Sequence, residues 1–130
     1  MKILTKADHD ADTNERVTSL ANDDDPLTLK DRLKELGRIE LHFPHFTDGR
    51  AYSQAYLLRR RLGFKGDLRA TGDVLIDQLV QMERTGFSSA VLKEGLDADD
   101  AERQFARFAG FYQGDLASHR DAKKRAFEPI

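Results

Sequence analysis

His42-Phe43-Pro44-His45-Phe46-Thr47-Asp48-Gly49-Arg50 leads into Ala51-Tyr52-Ser53-Gln54-Ala55-Tyr56-Leu57-Leu58, and Gly66-Asp67-Leu68-Arg69-Ala70-Thr71-Gly72-Asp73 leads into Val74-Leu75-Ile76-Asp77-Gln78. In each half the end of a strand passes through a polar loop into a helix, so the run from His42 to Gln78 reads as two consecutive strand-to-helix units. Outward from it the same grammar continues. Ile39 to Phe43 is a strand, and Gly49 or Arg50 to Leu62 is a helix with Ala51, Ala55, Leu58 and Leu62 in one stripe. Leu68 to Thr71 is the next strand, and Asp73 is expected to cap a helix that turns Leu75, Leu79 and Met82 to one side. Ser89 to Lys93 forms a third strand, Asp97 or Asp99 opens a helix carrying Ala98, Ala101, Phe105 and Phe108, and Phe111-Tyr112-Gln113 is a short fourth strand.

Three helices stop in Gly followed by Phe, at Gly63-Phe64, Gly86-Phe87 and Gly110-Phe111. Glycine takes the left-handed cap conformation without a Cβ clash, and the apolar residue after it folds back on the last turn. Repeated strand-helix units of this kind imply parallel strands with right-handed crossovers. The strands alternate: Ile39, Leu41 and Phe43 oppose Glu40 and His42, Leu68 and Ala70 oppose Arg69 and Thr71, and Ala90 and Leu92 oppose Ser89, Val91 and Lys93. A sheet buried on both faces reads instead as unbroken Val, Ile and Leu. The expected fold is therefore α/β, a small parallel sheet of about four strands with its helices mainly on one face, like part of a βα-barrel. A three-layer doubly wound sheet is the alternative. The polar face needs a cover, which the N-terminal arm, a ligand, a partner or a second copy could supply, and a homodimer is the simplest.

Asp25-Pro26 marks a helix start, with Leu29, Leu33 and Leu36 at helical spacing and Gly37 as the stop. Residues 1–25 are expected to be an extended or partly disordered arm, in which Lys2-Ile3-Leu4 and Val17-Thr18-Ser19-Leu20 could pair as short strands. The α/β domain then spans 26–114 and a solvated tail 115–130.

A chain of 130 residues, 39% hydrophobic and 34% charged with a formal net charge of -2, is one globular domain without the clustered positive charge that nucleic-acid binding requires. It has no cysteine, which excludes disulfides, thiolate metal sites and a cysteine nucleophile. Neither a membrane-length apolar run nor a signal-peptide core is present, so a cytoplasmic location is expected. No GxGxxG, GxxxxGK[ST] or GxSxG pattern occurs. Asp97-Ala98-Asp99-Asp100 lacks the spacing of an EF-hand loop and reads as acid at a helix start.

In parallel α/β sheets ligands bind where strands end and helices begin. That end gathers Thr47, Asp48, Gly49 and Arg50 after one strand and Thr71, Gly72 and Asp73 after the next, with Arg69 on the polar face between them. These residues are the candidate site for a small oxyanion; each taken singly also suits a cap or a turn. Arg69, in mid-strand, must be paired, and Glu40 is the expected partner in a structural ion pair. His42, His45 and Asp48 offer too few converging ligands for a metal, and none is expected. Tyr52 and Tyr56 read as core packing with the hydroxyl at the surface, and Arg59-Arg60-Arg61 as a solvated face.

The block from Phe43-Pro44-His45-Phe46-Thr47-Asp48-Gly49-Arg50 through Tyr52-Ser53-Gln54-Ala55, Gly66-Asp67-Leu68-Arg69-Ala70, Gly72-Asp73-Val74-Leu75 and Asp77-Gln78-Leu79 to Gly86-Phe87 resembles the bacterial family called domain of unknown function 934. Phe111-Tyr112-Gln113 is similar to the family's C-terminal end. Members are commonly encoded beside assimilatory sulfite reductase and often labelled oxidoreductases of sulfite reduction, so the resemblance implies a pathway more than a reaction. Members often have a longer N-terminal region, and many carry a cysteine where this chain has Thr85. A redox enzyme needs an electron carrier, and no motif for flavin, nicotinamide, haem or iron–sulfur is found, so no cofactor is expected. The resulting expectation is a non-catalytic accessory protein or regulator of sulfite reduction that docks on sulfite reductase and binds a small oxyanion. The alternative is a stand-alone small-molecule enzyme with Asp48 or Asp73 as acid–base and Arg50 and Arg69 holding an anion.

Overall fold

The computed structural model of the protein describes residues 1–13 and 16–108. Its centre is β3 (Arg38–Phe43) beside β4 (Asp67–Gly72), two six-residue parallel strands paired along their whole length. The alternation read from the sequence sorts their side chains as expected. Ile39, Leu41, Phe43, Leu68 and Ala70 are fully buried against helices, while Arg38, Glu40, His42, Asp67, Arg69 and Thr71 take the other face.

Around this pair the chain adds β1 (Lys2–Leu4), β2 (Val17–Leu20) and β5 (Ser89–Val91), giving a five-stranded, wholly parallel sheet in the order β1-β5-β4-β3-β2. The segment expected to be an extended arm thus supplies both edge strands of the sheet. β1 and β2 do not pair with each other but occupy opposite edges, β1 beside β5 and β2 beside β3. The expected strand at Phe111–Gln113 and the tail 115–130 lie outside the described residues.

From β2 to β5 each strand lies next to its predecessor, and the connecting helices fall on one face. They are a 3-10 helix (Pro26–Glu35), α2 (Arg50–Tyr56) prolonged by a π turn (Leu57–Arg61), and α3 (Leu79–Thr85) preceded by a short 3-10 turn (Ile76–Gln78). A further helix, α4, spans 98–108 and packs Ala101 and Phe105 against the same core. Asp25 caps the first of these as expected, its carboxylate accepting from the Leu27 amide at 2.9 Å. Asp73 does not cap α3: the helical turn begins three residues later, and the carboxylate is used elsewhere.

α3 ends as its Gly86-Phe87 pair predicts, with the Phe87 amide on the Met82 carbonyl and the Gly86 amide on the Glu83 carbonyl, and Gly86 at φ +130°. At Gly63 the π turn widens the cap, so the Phe64 amide reaches back to the Leu58 carbonyl.

The exception is α1 (Lys6–Ala11), which lies on the polar face. Its connection runs from β1 to β2, across the sheet in the direction opposite to all the others. A right-handed crossover travelling the other way must place its helix on the other face. Thr5 and Asp8 make the capping box that starts α1, hydroxyl to amide at 3.0 Å and amide to carboxylate at 3.4 Å. Neighbouring strands β1 and β5 are consequently followed by helices on opposite faces, the arrangement beside which α/β sheets open a crevice at their carboxyl ends.

Candidate functional site

The polar face is organised in cross-strand rungs: Arg38 opposite Asp67, Glu40 opposite Arg69 with Ser89 beyond it, and His42 opposite Thr71. Opposite charges face each other in the first two rungs, yet the short ion pairs run along the strands. Nε of Arg38 donates to Glu40 at 3.0 Å, and Nη2 of Arg69 to Asp67 at 3.2 Å. The expected Glu40–Arg69 pair is therefore corrected. Arg38 holds Glu40, and the Arg69 fork is filled by Ser89 at 2.9 Å, Asp67, and two groups from the α1 side, Asp12 at 2.7 Å and Nδ1 of His9 at 3.0 Å. Arg69 is 2% exposed, so its charge must be paired, and Asp67 on its own strand already does so.

The same Oδ2 of Asp12 lies 3.3 Å from Nη1 of Arg38. The Arg69 hydrogen bond and the two guanidinium charges hold the Asp12 carboxyl below the usual carboxylate range. Since Arg69 donates to it, Nδ1 of His9 is an acceptor and the imidazole carries its proton on Nε2.

Toward the carboxyl ends of the strands this buried network gives way to an open cleft of about 490 Å³. Lys6 and His9 of α1 form one wall, Glu40 and His42 of β3 with Thr71 and Gly72 of β4 form the floor, and Val91 at the end of β5 with Leu92, Lys93 and Glu94 after it closes the far side. Nδ1 of His42 sits 3.4 Å from the Thr71 hydroxyl. Gly72, at φ +94°, lets the chain pass this close: a Cβ there would stand 2.7 Å from the His42 ring and 2.3 Å from the Phe43 carbonyl. Asp73 braces the rim by accepting from the Phe46 amide at 2.8 Å and pairing with Lys93 at 3.1 Å, contacts that lower its pKa.

The eight expected site residues thus separate into groups. Thr71 and Gly72 line the cleft, Asp73 supports its edge, and Arg69 lies behind its wall. Thr47, Asp48, Gly49 and Arg50 do not line it. Asp48 takes the Arg50 guanidinium at 2.8 Å and the Arg50 amide at 3.0 Å, and also accepts from Asn22. The Arg50 hydrogen bonds drive its pKa far below the ordinary value. A carboxylate held that firmly is a poor proton acceptor near neutrality. It anchors the start of α2 and the loop after β2, where Gln54 also donates to the Ala21 and Asp24 carbonyls at 2.8 Å each.

Two further residues differ from expectation. Arg59 is a clamp rather than part of a solvated face: Nε donates to the Gly86 carbonyl at 2.8 Å, and Nη1 to the carbonyls of Phe64 at 2.9 Å and Gly66 at 2.7 Å. Tyr52 packs edge-on to Phe43 with ring centroids 5.1 Å apart, and its hydroxyl is buried rather than at the surface, which pushes its pKa up to about 12. Sequence reasoning passed over Lys6, His9 and Asp12. One signal for them was legible: Thr5-Lys6-Ala7-Asp8 is a capping-box pattern that announces a helix exactly where an irregular arm was expected.

Among the described residues no group of three or more His, Asp or Glu side chains is arranged to hold a metal ion, and no helix is long and apolar enough to cross a membrane. No curated protein and no solved structure gives a match. Residues 17–122, more than half of the chain and all of the sheet after β1, match the family model described as bacterial protein of unknown function, DUF934, and the chain belongs to that family.

Proposed function

We propose that this protein is a small-anion-binding accessory protein of assimilatory sulfite reduction, acting beside sulfite reductase in the cytoplasm rather than carrying electrons itself. The observation that carries the anion-binding part is the cleft, where the ammonium groups of Lys6 and Lys93, the His42 imidazole and the Thr71 hydroxyl border one space at the carboxyl ends of the strands. Of the two carboxylates there, Glu40 is already engaged by Arg38 at 3.0 Å. Lys, His and hydroxyl donors around a crevice suit a small oxyanion. The link to sulfite reduction is supported by the resemblance alone, and sulfite is the first ligand to try.

A ligand that binds only the folded state raises its apparent stability. Thermal unfolding is expected to rise with sulfite, sulfate or phosphate at matched ionic strength, and the rise is expected to vanish in His42→Ala and Lys93→Ala. Equal responses in wild type and both variants would remove the cleft from the reading. Co-purification with sulfite reductase tests the partner, and wild-type growth of a deletion strain on sulfate would remove the pathway. A homodimer through the part of the polar face that α1 leaves open belongs to the same reading, and a monomer by light scattering excludes it.

The cleft also supports a second reading, a small-molecule enzyme, because the His42 imidazole, a group able to act as acid or base, lines it. Asp48 and Arg50, tied to each other away from the cleft, take no part in that version.

A further inference from the structure

α1 is held to the sheet in an unusual way. None of its six residues is buried: Ala7 and Ala11 are exposed and only His9 is half-covered. A helix of that length has no stability of its own in water, and without buried apolar surface it gains little from the hydrophobic effect. What keeps it in place is a small set of polar contacts converging on Arg69 and Arg38. Their centre is a single oxygen, Oδ2 of Asp12, lying 2.7 Å from Nη2 of Arg69 and 3.3 Å from Nη1 of Arg38.

Neither arginine needs Asp12 in order to be paired. Arg38 keeps Glu40, and Arg69 keeps Asp67 and Ser89, all on the sheet itself. The sheet therefore presents two buried, fixed guanidiniums, 6% and 2% exposed, each already balanced by one carboxylate and each with a further N–H aimed at a shared point above the polar face. Convergent guanidinium N–H groups on one oxygen are the geometry by which arginine recognises oxyanions. Asp12 supplies that oxygen from within the chain.

We propose that Arg38 and Arg69 form an oxyanion site that α1 occludes, with Oδ2 of Asp12 standing where an oxygen of a small tetrahedral or pyramidal oxyanion binds. Binding of the anion displaces Asp12 and releases α1, whose Lys6 and His9 are one wall of the cleft. Release of α1 opens the cleft onto the two arginines behind it. The inference deepens the anion-binding reading of the cleft but does not use His42 or Lys93, so the two can fail separately. With α1 displaced, the four sheet groups Arg38, Arg69, Glu40 and Asp67 sum to zero charge. Affinity then comes from the direction of the N–H groups, and bulk chloride is a poor substitute.

The chain has no cysteine, so Ala7→Cys carries a single nitroxide on the exposed side of α1. The probe anion is inorganic sulfate, titrated against chloride at equal ionic strength. Sulfate is expected to mobilise the label saturably, with chloride inert. Asp12→Ala removes the competing oxygen while leaving Arg69 its sheet partners. It is expected to free the label without sulfate and to tighten sulfate binding, measured by calorimetry, about tenfold, because the binding-competent state no longer has to be opened first. Asp12→Asn, which keeps the side-chain volume, is expected to fall between the two.

A label that stays immobile while calorimetry shows sulfate saturating the protein would overturn the proposal, as would an Asp12→Ala protein that binds sulfate no better than wild type or not at all. A sulfate response lost in His42→Ala but indifferent to Asp12→Ala overturns this inference and leaves the cleft reading standing. A response sharpened by Asp12→Ala and indifferent to His42→Ala does the reverse.

Discussion

Replacing Arg69 by methionine tests whether the polar face is a buried ionic network. The methionine fills much of the volume of the arginine stem but supplies no donor to Ser89, His9, Asp12 or Asp67. Breaking a buried ion pair from one side costs about 3–5 kcal/mol, because the partner charge is left uncompensated. Here the lower end applies. Asp67 retains the Ser88 and Ser89 hydroxyls, the latter at 2.8 Å, Asp12 retains Arg38 at 3.3 Å, and Glu40 never depended on Arg69.

A loss of about 3 kcal/mol, with a urea dependence of roughly 1.5 kcal/mol per molar for a domain of this size, moves the unfolding midpoint down by about 2 M without changing the slope. Arg69→Lys keeps the charge but cannot reach four partners with one ammonium, and is expected to lose about half as much. Equilibrium urea unfolding followed by far-ultraviolet circular dichroism measures both. A midpoint shift under about 0.5 M for Arg69→Met, less than ~1 kcal/mol on the same slope, would refute the reasoning, since it would mean that the guanidinium is neither desolvated nor the partner of those carboxylates.

Three other outcomes are expected. The carboxyls of Asp12, Asp48 and Asp73 titrate lower in the folded protein than their ordinary value. The stability they add is therefore fully present above about pH 4 and is lost as pH falls through their folded values. Urea midpoints measured from pH 7 to pH 3 should fall at the acid end, and less steeply in Asp48→Asn. Gly72→Ala should cost about 1–3 kcal/mol in thermal unfolding, because φ +94° and a 2.3 Å approach to the Phe43 carbonyl oppose the new Cβ from both sides. Arg59→Ala should cost about 2–4 kcal/mol, since it removes charge-assisted hydrogen bonds to three carbonyls joining the ends of α2 and α3 to the start of β4; a loss under ~0.5 kcal/mol would return Arg59 to an ordinary surface role.

Much of this architecture was legible in the residues because it is set by local periodicity. The two-residue period of Arg38–Phe43 and Asp67–Gly72 needs no tertiary information to place Ile39, Leu41, Leu68 and Ala70 in the core and Glu40, His42, Arg69 and Thr71 opposite them. The Gly86-Phe87 stop and the Asp25-Pro26 start are likewise properties of a few adjacent residues, and the parallel sheet follows from their repetition.

The partners of the polar groups are decided at long range. Glu40 and Arg69 stand in register, as reading the two strands side by side suggests, yet Arg38 lies two residues along the same strand face from Glu40 and takes it first. Arg69 then turns to Asp12, 57 residues away in sequence. No pattern around Asp12 reveals this, because it depends on β1 and β2 lying at opposite edges, which sends their connecting helix across the polar face. The sequence by itself determined which residues face away from the core and at which end of the sheet a ligand could enter. The tertiary structure decided which of those residues hold one another and which line an open cleft, His42 and Thr71 from the sheet with Lys6 and Lys93 from the segments beside it. The physical reason is that burial direction is a property of one strand, whereas the pairing of a charge is a competition among every group the fold brings within a few ångströms of it.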